Sequence, residues 1–258
     1  MSWNRKLLLT KIKALGAHLG ISVVLVGIAV WLILFRWFPT PLFTTDGGGV
    51  GLKLLLLVDL VLGPLLTFVV FNPLKARRLM VLDLAVIAML QLSAYGAGLW
   101  SIYTVRVQAV ALHEGVFHAV TAKEYQDQTI EPDSWQALGP RAPHLVNVRA
   151  PLDGDEAMGV TAFGFTAGLE PYQLQFLYQP LAAAWPAARQ QGWPLTELQA
   201  SQPAIAARAA AWLGRHADLK PETIRFYRVE GFYGSAVLAL DETGASVGGF
   251  DGDLAKRP

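Results

Sequence analysis

Polar positions almost vanish from the first hundred residues. Three apolar stretches, about residues 15–38, 50–71 and 79–103, each reach the roughly 20 residues that a helix needs to cross a bilayer core. Core helices of soluble domains are rarely so long and so evenly apolar, so the pattern predicts three membrane-spanning helices within residues 1–103. The first stretch is longer than the apolar region of a signal peptide, and "RWFPTPLF" after it offers no small-residue cleavage site, so a retained helix is expected. From about Thr104 the pattern changes. Apolar and polar residues alternate through Val105, Val107, Ala109 and Ala111, and "VRVQAVALHEGVFHAVTA" predicts two strands about the turn His113-Glu114-Gly115.

Further strands are predicted at "HLVNVRA" and "TIRFYRVEG", and "SAVLALDETGASVGGF" predicts a hairpin about Asp241 to Gly244. In "YQLQFLYQPLAAAW" and "QPAIAARAAAWLGRHA" apolar residues recur at three and four, and alanine supplies propensity, so both predict helices. Glu131 to Pro143, rich in proline and polar groups, predicts a loop. The expected fold is a membrane protein with three N-terminal transmembrane α-helices followed by a small α+β soluble domain over residues 104–258, long enough to bury its own core.

Composition sharpens this picture. The chain of 258 residues is 53% hydrophobic and 16% charged, too apolar for an ordinary soluble domain. Its net charge of +1 and the lack of any basic stripe with interleaved aromatics exclude nucleic acid as a partner and leave lipid bilayer and protein. No cysteine is present, which excludes disulfides and thiolate chemistry. Cations set the expected orientation. Arg5, Lys6, Lys11 and Lys13 precede the first stretch and Lys75, Arg77 and Arg78 follow the second, whereas "FPTPLFTTDGGGVG" has none before Lys53. The N-terminus and second loop are thus expected inside and residues 104–258 outside, with Trp31, Trp37, Phe38, Trp100 and Tyr103 as an outer aromatic belt.

The chemistry-bearing candidates lie within the spans. Asp59, Gly63 and Pro64 interrupt the second and Asp83 and Gln91 the third. A charge at mid-bilayer costs several kcal/mol, so such residues face other helices or wet cavities. Two readings stand: helix packing with topology anchoring, or a polar track of intramembrane carboxylates in a small membrane enzyme or transporter subunit. Pro64 cannot bond the carbonyl of Leu60, which predicts a kink at Gly63-Pro64 and a donor from Thr67 or Gln91. Gly16-x-x-x-Gly20 and Ala94-x-x-x-Gly98 have the spacing of closely packed membrane helices.

Elsewhere the usual catalytic signatures are missing. His18, His113, His118, His144 and His216 have no metal-ligand spacing, and Ser235 in "FYGSAV" lacks a nucleophile elbow. "GGGVGLK" lacks the hydroxyl residue of a phosphate loop and reads as a flexible turn, and "PLDGDEAMG" departs from calcium-loop spacing and reads as a solvated turn. Tyr172, Phe176, Tyr178, Trp185 and Trp193 read as core aromatics or as a partner patch. No metal, cofactor or catalytic residue is expected.

"VDLVLGPLLTFVVFNP", followed after a short basic loop by "LDLAVIAMLQLSAYGAGLW", resembles the signature of the TfpX/TfpZ (FimB-like) family of type IV pilin accessory proteins. "GAHLGIS", "WFPTPLF" and an outer domain opening on a hairpin, "HEGVFHAVTAKEY", follow the family's order, strongly in the membrane half and in general plan beyond it. The resemblance implies a bacterial inner-membrane protein with a periplasmic domain that assists the stability or assembly of a type IV pilin, the major subunit, alongside other pilus-assembly proteins. It implies no reaction.

Overall fold

The computed structural model describes residues 2–72, 74–126, 138 and 142–257, which form two compact units: residues 1–35 with 49–103, and residues 36–48 with 104–258.

The first unit is helical. Helix α1 (Ser2–Leu32) continues as a π-helical turn to Trp37. Helix α3 (Gly48–Leu56) runs through a π-helical stretch, Leu57–Leu62, into α4 (Gly63–Val70), and α5 covers Arg77–Thr104. These give three apolar segments of 30, 23 and 28 residues, Leu8–Trp37, Gly48–Val70 and Arg77–Thr104, each long and apolar enough to cross a membrane. Leu54, Val69, Met89 and Leu90 are exposed on these helices. Polar pegs join the helices. The Tyr95 hydroxyl donates to Leu25 O at 2.7 Å, Lys11 Nζ donates to Phe68 O at 3.3 Å, and Thr67 Oγ1 meets His18 Nδ1 at 2.6 Å.

The glycine segment predicted as a flexible turn is helical from Gly48 onwards, because Gly48 to Gly51 open directly into the apolar run and join its hydrogen-bond ladder. The disturbance at Gly63-Pro64 takes the form of π-helical widening, with Gly63 N–H donating to Val58 O five residues back. Thr67, a predicted donor to the freed carbonyl, is taken up by His18 instead. A Cβ on Gly16, Gly20 or Gly98 would touch nothing within 4 Å, so the predicted small-residue contacts are not made within this unit. The close approaches are at Gly51, against Ile102, and at Gly63, against Gln91.

The second unit is built on a seven-stranded mixed sheet. Its strands are β1 (Val107–His113), β2 (Val116–Thr121), β3 (His144–Val148), β4 (Tyr178–Pro180), β5 (Arg225–Gly231), β6 (Gly234–Leu240) and β7 (Ser246–Asp251), in the order β4-β3-β1-β2-β5-β6-β7. The predicted first hairpin forms, with Glu114 at φ 47° and Gly115 at φ 82°, the positive angles that a tight two-residue turn requires. Helices α6 (Ala122–Gln126), α7 (Gly154–Ala167), α8 (Leu181–Gln191), α9 (Leu195–Ser201) and α10 (Pro203–Leu213) complete it. Successive residues of β5 serve opposite faces. Phe226 packs edge-on to Trp212 of α10, while the Tyr227 hydroxyl donates to Ala188 O of α8 at 2.9 Å. Burial of Trp193, Leu198, Trp212, Leu213, Ile224 and Phe226 gives this unit a dense core.

Two predictions shift here. The helix expected over "YQLQFLYQPLAAAW" begins at Leu181, since Tyr178–Pro180 extend to pair antiparallel with β3 and proline cannot continue an upstream helix. The loop predicted at Glu131 to Pro143 lies almost wholly outside the described residues. Residues 36–48, joining the first two apolar segments, belong to the sheet unit. Phe38 is fully buried rather than part of an aromatic belt, helix α2 covers Leu42–Thr45, and Pro41 lies over Gly249 of β7.

Candidate functional site

Asp59 stands in the π-helical stretch that widens the second apolar segment. Although 3% exposed, it keeps one oxygen, Oδ2, without a hydrogen-bond partner among the described residues. A buried polar group left so costs stability that a missing partner would restore. Asp59 lines a cleft of about 160 Å³ between the second and third apolar segments, with Leu54 and Val58 on one side and Ala94, Tyr95 and Gly98 on the other. The small-residue spacing predicted to bring helices together is thus the floor of a groove. Its volume is below the roughly 300 Å³ of a small-molecule site, and it suits one side chain or chain end.

The other predicted site residues divide. Gly63 and Gln91 come together: a Cβ on Gly63 would stand 1.6 Å from Gln91 Nε2, so glycine is what admits the amide. Pro64 is buried beside them. Asp83 stands apart, bound to Lys75 at 2.5 Å, and eight residues or about 12 Å along the helix separate it from Gln91. Asp59, Asp83 and Gln91 therefore form no joined cluster among the described residues.

The sheet unit holds a second buried carboxylate that sequence reasoning missed. Asp46 is also 3% exposed, but it accepts from the Thr45 hydroxyl at 2.6 Å through Oδ2 and from Phe232 N–H at 3.3 Å through Oδ1. Tyr233 N–H donates to Thr45 O at 2.8 Å, which completes a clasp between the C-terminal end of α2 and the turn joining β5 to β6. Gly231 is required there, because a Cβ would stand 2.5 Å from the carboxylate. Burial pushes the Asp46 carboxyl up to about 6 from its ordinary 3.8, against the lowering effect of those two donors. The one signal in the sequence was a lone acid in an otherwise uncharged loop.

"PLDGDEAMG", expected as a solvated turn, instead starts α7. Asp153 Oδ1 caps it by accepting from Glu156 N–H at 2.8 Å, and the Arg149 guanidinium with Leu152 N–H holds the Glu156 carboxyl down at about 2. No residue of α7 is buried, and Met158 and Phe165 face outwards. Of the aromatic cluster, Trp185 and Trp193 are core residues whose indole N–H groups donate to Glu242 O and Ala255 O, while Phe176 is exposed. His118 stacks on Tyr172 with ring centroids 4.0 Å apart.

No family model and no solved structure matches the chain. Proteins from Dichelobacter nodosus do. The fimbrial assembly protein of serogroups C1 and C2 is 34% identical over 107 residues, which is 42% of this chain and 82% of that relative. Those of serogroups I and E1 are 34% and 35% identical over 107 residues. Here the match covers 42% of the chain and only 42% of each relative's own length. With the signature through Asp59, Gly63 and Pro64 and the succession of three apolar helices and an α+β region, these similarities place the chain in the fimbrial assembly protein family, the TfpX/TfpZ (FimB-like) group of pilus accessory proteins.

Proposed function

We propose that this protein is a chaperone-like accessory factor of the bacterial inner membrane that binds the major type IV pilin and supports its stability and assembly, without catalysing a reaction. The three apolar helices cross the membrane with the N-terminus in the cytoplasm, and residues 104–258 form a periplasmic domain. Lysines and arginines flanking the first and second segments favour that orientation. Fimbrial assembly is the role named for the three relatives, and other pilus-assembly proteins are further partners.

One observation carries the reading: a buried carboxylate with an acceptor oxygen that has no partner among the described residues, at the wall of an apolar groove. Pilins of this class hold an apolar helix in the membrane, and its cationic amino terminus supplies the partner that Asp59 lacks, while Ala94 and Gly98 leave room for a backbone. The face around Gly63, Pro64 and Gln91 continues that surface. The rival polar track gains nothing from Asp83, whose carboxylate is engaged by Lys75.

The test is Asp59→Asn, nearly the same size but without charge. Pilin recovered with the tagged protein from membranes should fall about tenfold, the effect of losing one charge-assisted bond of ~1.4 kcal/mol, while the variant's own abundance stays unchanged. Undiminished pilin recovery sinks the proposal.

A further inference from the structure

The turn between β5 and β6 has only two residues, Phe232 and Tyr233, between the paired Gly231 and Gly234. Two-residue turns ordinarily carry asparagine, aspartate or glycine. Here both residues are aromatic, 84% and 59% exposed, with ring centroids 5.0 Å apart. Among the described residues of the sheet unit, the ring of Tyr233 is the aromatic neighbour of Phe232, and 84% of Phe232 stays exposed.

Their place in the chain accounts for that exposure. Tyr233 N–H bonds Thr45 O, and its ring lies against Gly47, whose Cβ, if present, would stand 2.5 Å from the ring edge. Gly47 directly precedes Gly48, the first residue of the second apolar segment. The register of the sheet gives the same location independently. Strand β5 runs parallel to β2, towards the edge where Thr121 faces Val107. Val107 follows Thr104, the end of the third segment, by three residues, at most about 10 Å of chain. Two of the three connections to the apolar helices, those at Gly48 and Thr104, thus converge on the sheet end that carries this turn.

We infer that Phe232 and Tyr233 are an interfacial anchor, seated in the headgroup zone of the bilayer that the three helices cross. Tyrosine favours this zone because its ring is apolar and its hydroxyl stays wet, and the phenylalanine buries surface that would otherwise face water. Asp46 acts as the positioning residue. Its carboxylate fixes Phe232 N–H, and Gly231 leaves it the space to do so. The inference rests on the membrane-spanning reading above but not on pilin binding.

Because the chain has no cysteine, single labels can be placed at will. The full protein carrying Phe232→Cys, Glu242→Cys or Val24→Cys, each labelled with an environment-sensitive fluorophore, is reconstituted into phosphatidylethanolamine and phosphatidylglycerol vesicles without pilin. Glu242 is exposed in the turn at the opposite end of the sheet, and Val24 faces outwards midway along α1. Lipids bearing a quencher near the headgroup should remove roughly half of the emission at position 232 and leave position 242 almost unaffected, while deep quenchers act at position 24. Equal, weak quenching at 232 and 242 with strong deep quenching at 24 overturns the anchor and leaves the membrane reading intact. Absence of quenching at 24 overturns the membrane reading and the anchor with it.

Discussion

Asp46 and Asp59 are buried to the same extent, and their surroundings could hardly differ more. Asp46 lies in the sheet unit with both oxygens bonded, one to a hydroxyl and one to a backbone N–H, and a glycine pressed against it. Asp59 lies in the helical unit with one oxygen unpartnered among the described residues and an open, mainly apolar groove beside it. Burial by itself therefore says little about a carboxylate's task. A satisfied one closes a structure, and an unsatisfied one leaves a place for something to arrive.

The sharpest way to break this contrast is to crowd the satisfied carboxylate. In Gly231→Ala the new Cβ meets the Asp46 carboxylate at 2.5 to 2.7 Å, and that short side chain cannot turn away without losing the Thr45 and Phe232 bonds. A loss of about 2–3 kcal/mol is expected, as for overpacking with a lost buried hydrogen bond, seen as lower thermal stability of the full chain in detergent. Wild-type stability in this variant would mean that the clasp is loose.

Titration gives a comparable effect. Folding raises the Asp46 carboxyl from 3.8 to about 6, so between those values the folded state binds more protons than the unfolded one. Its contribution to stability consequently falls as pH rises through that window, by about 3 kcal/mol once pH exceeds 6. Glu156 behaves oppositely. Its carboxyl is lowered from 4.5 to about 2, so its contribution is complete above 4.5 and is lost only on further acidification. Between pH 4.5 and 6, Asp46→Asn should remove the falling slope and be at least as stable as the wild type at neutral pH. An unchanged slope would mean that the carboxylate is wet.

Much of the architecture was legible because it is written in local periodicity. Long apolar runs, the alternation through Ala109 and Ala111 and the alanine-rich helix before Leu213 are one-dimensional signals that survive folding. The signature at Asp59, Gly63 and Pro64 was legible as a breach of that periodicity. What could not be read depends on which residues meet across long sequence distance. Asp46 meets Phe232 across 186 positions, and Thr45 O meets Tyr233 N–H across a similar span. Helix α7 escaped notice because its apolar residues face away from the core, so its sequence lacks the stripe that marks a packed helix. Ala94 and Gly98 carried a true signal with an inverted meaning. Small residues permit a close approach, but whether a backbone or an empty groove results is decided by the facing helix.

The smallest expected effect tests the comparison from its other side. By distance alone Gly63→Ala looks worse than Gly231→Ala, since its Cβ would stand 1.6 Å from Gln91 Nε2. The obstruction, however, is the far end of a long side chain with several free torsions, not a short carboxylate held by two donors. Gln91 can turn aside at the cost of about 0.5–1.5 kcal/mol in rotamer strain, and alanine returns some 0.5–1 kcal/mol of helix propensity over glycine. The two nearly cancel, so thermal stability should stay within about 1 kcal/mol of the wild type. A loss as large as that at Gly231 would mean that Gln91 is locked in place, and that the helical unit is packed as tightly around its polar residues as the sheet is around Asp46.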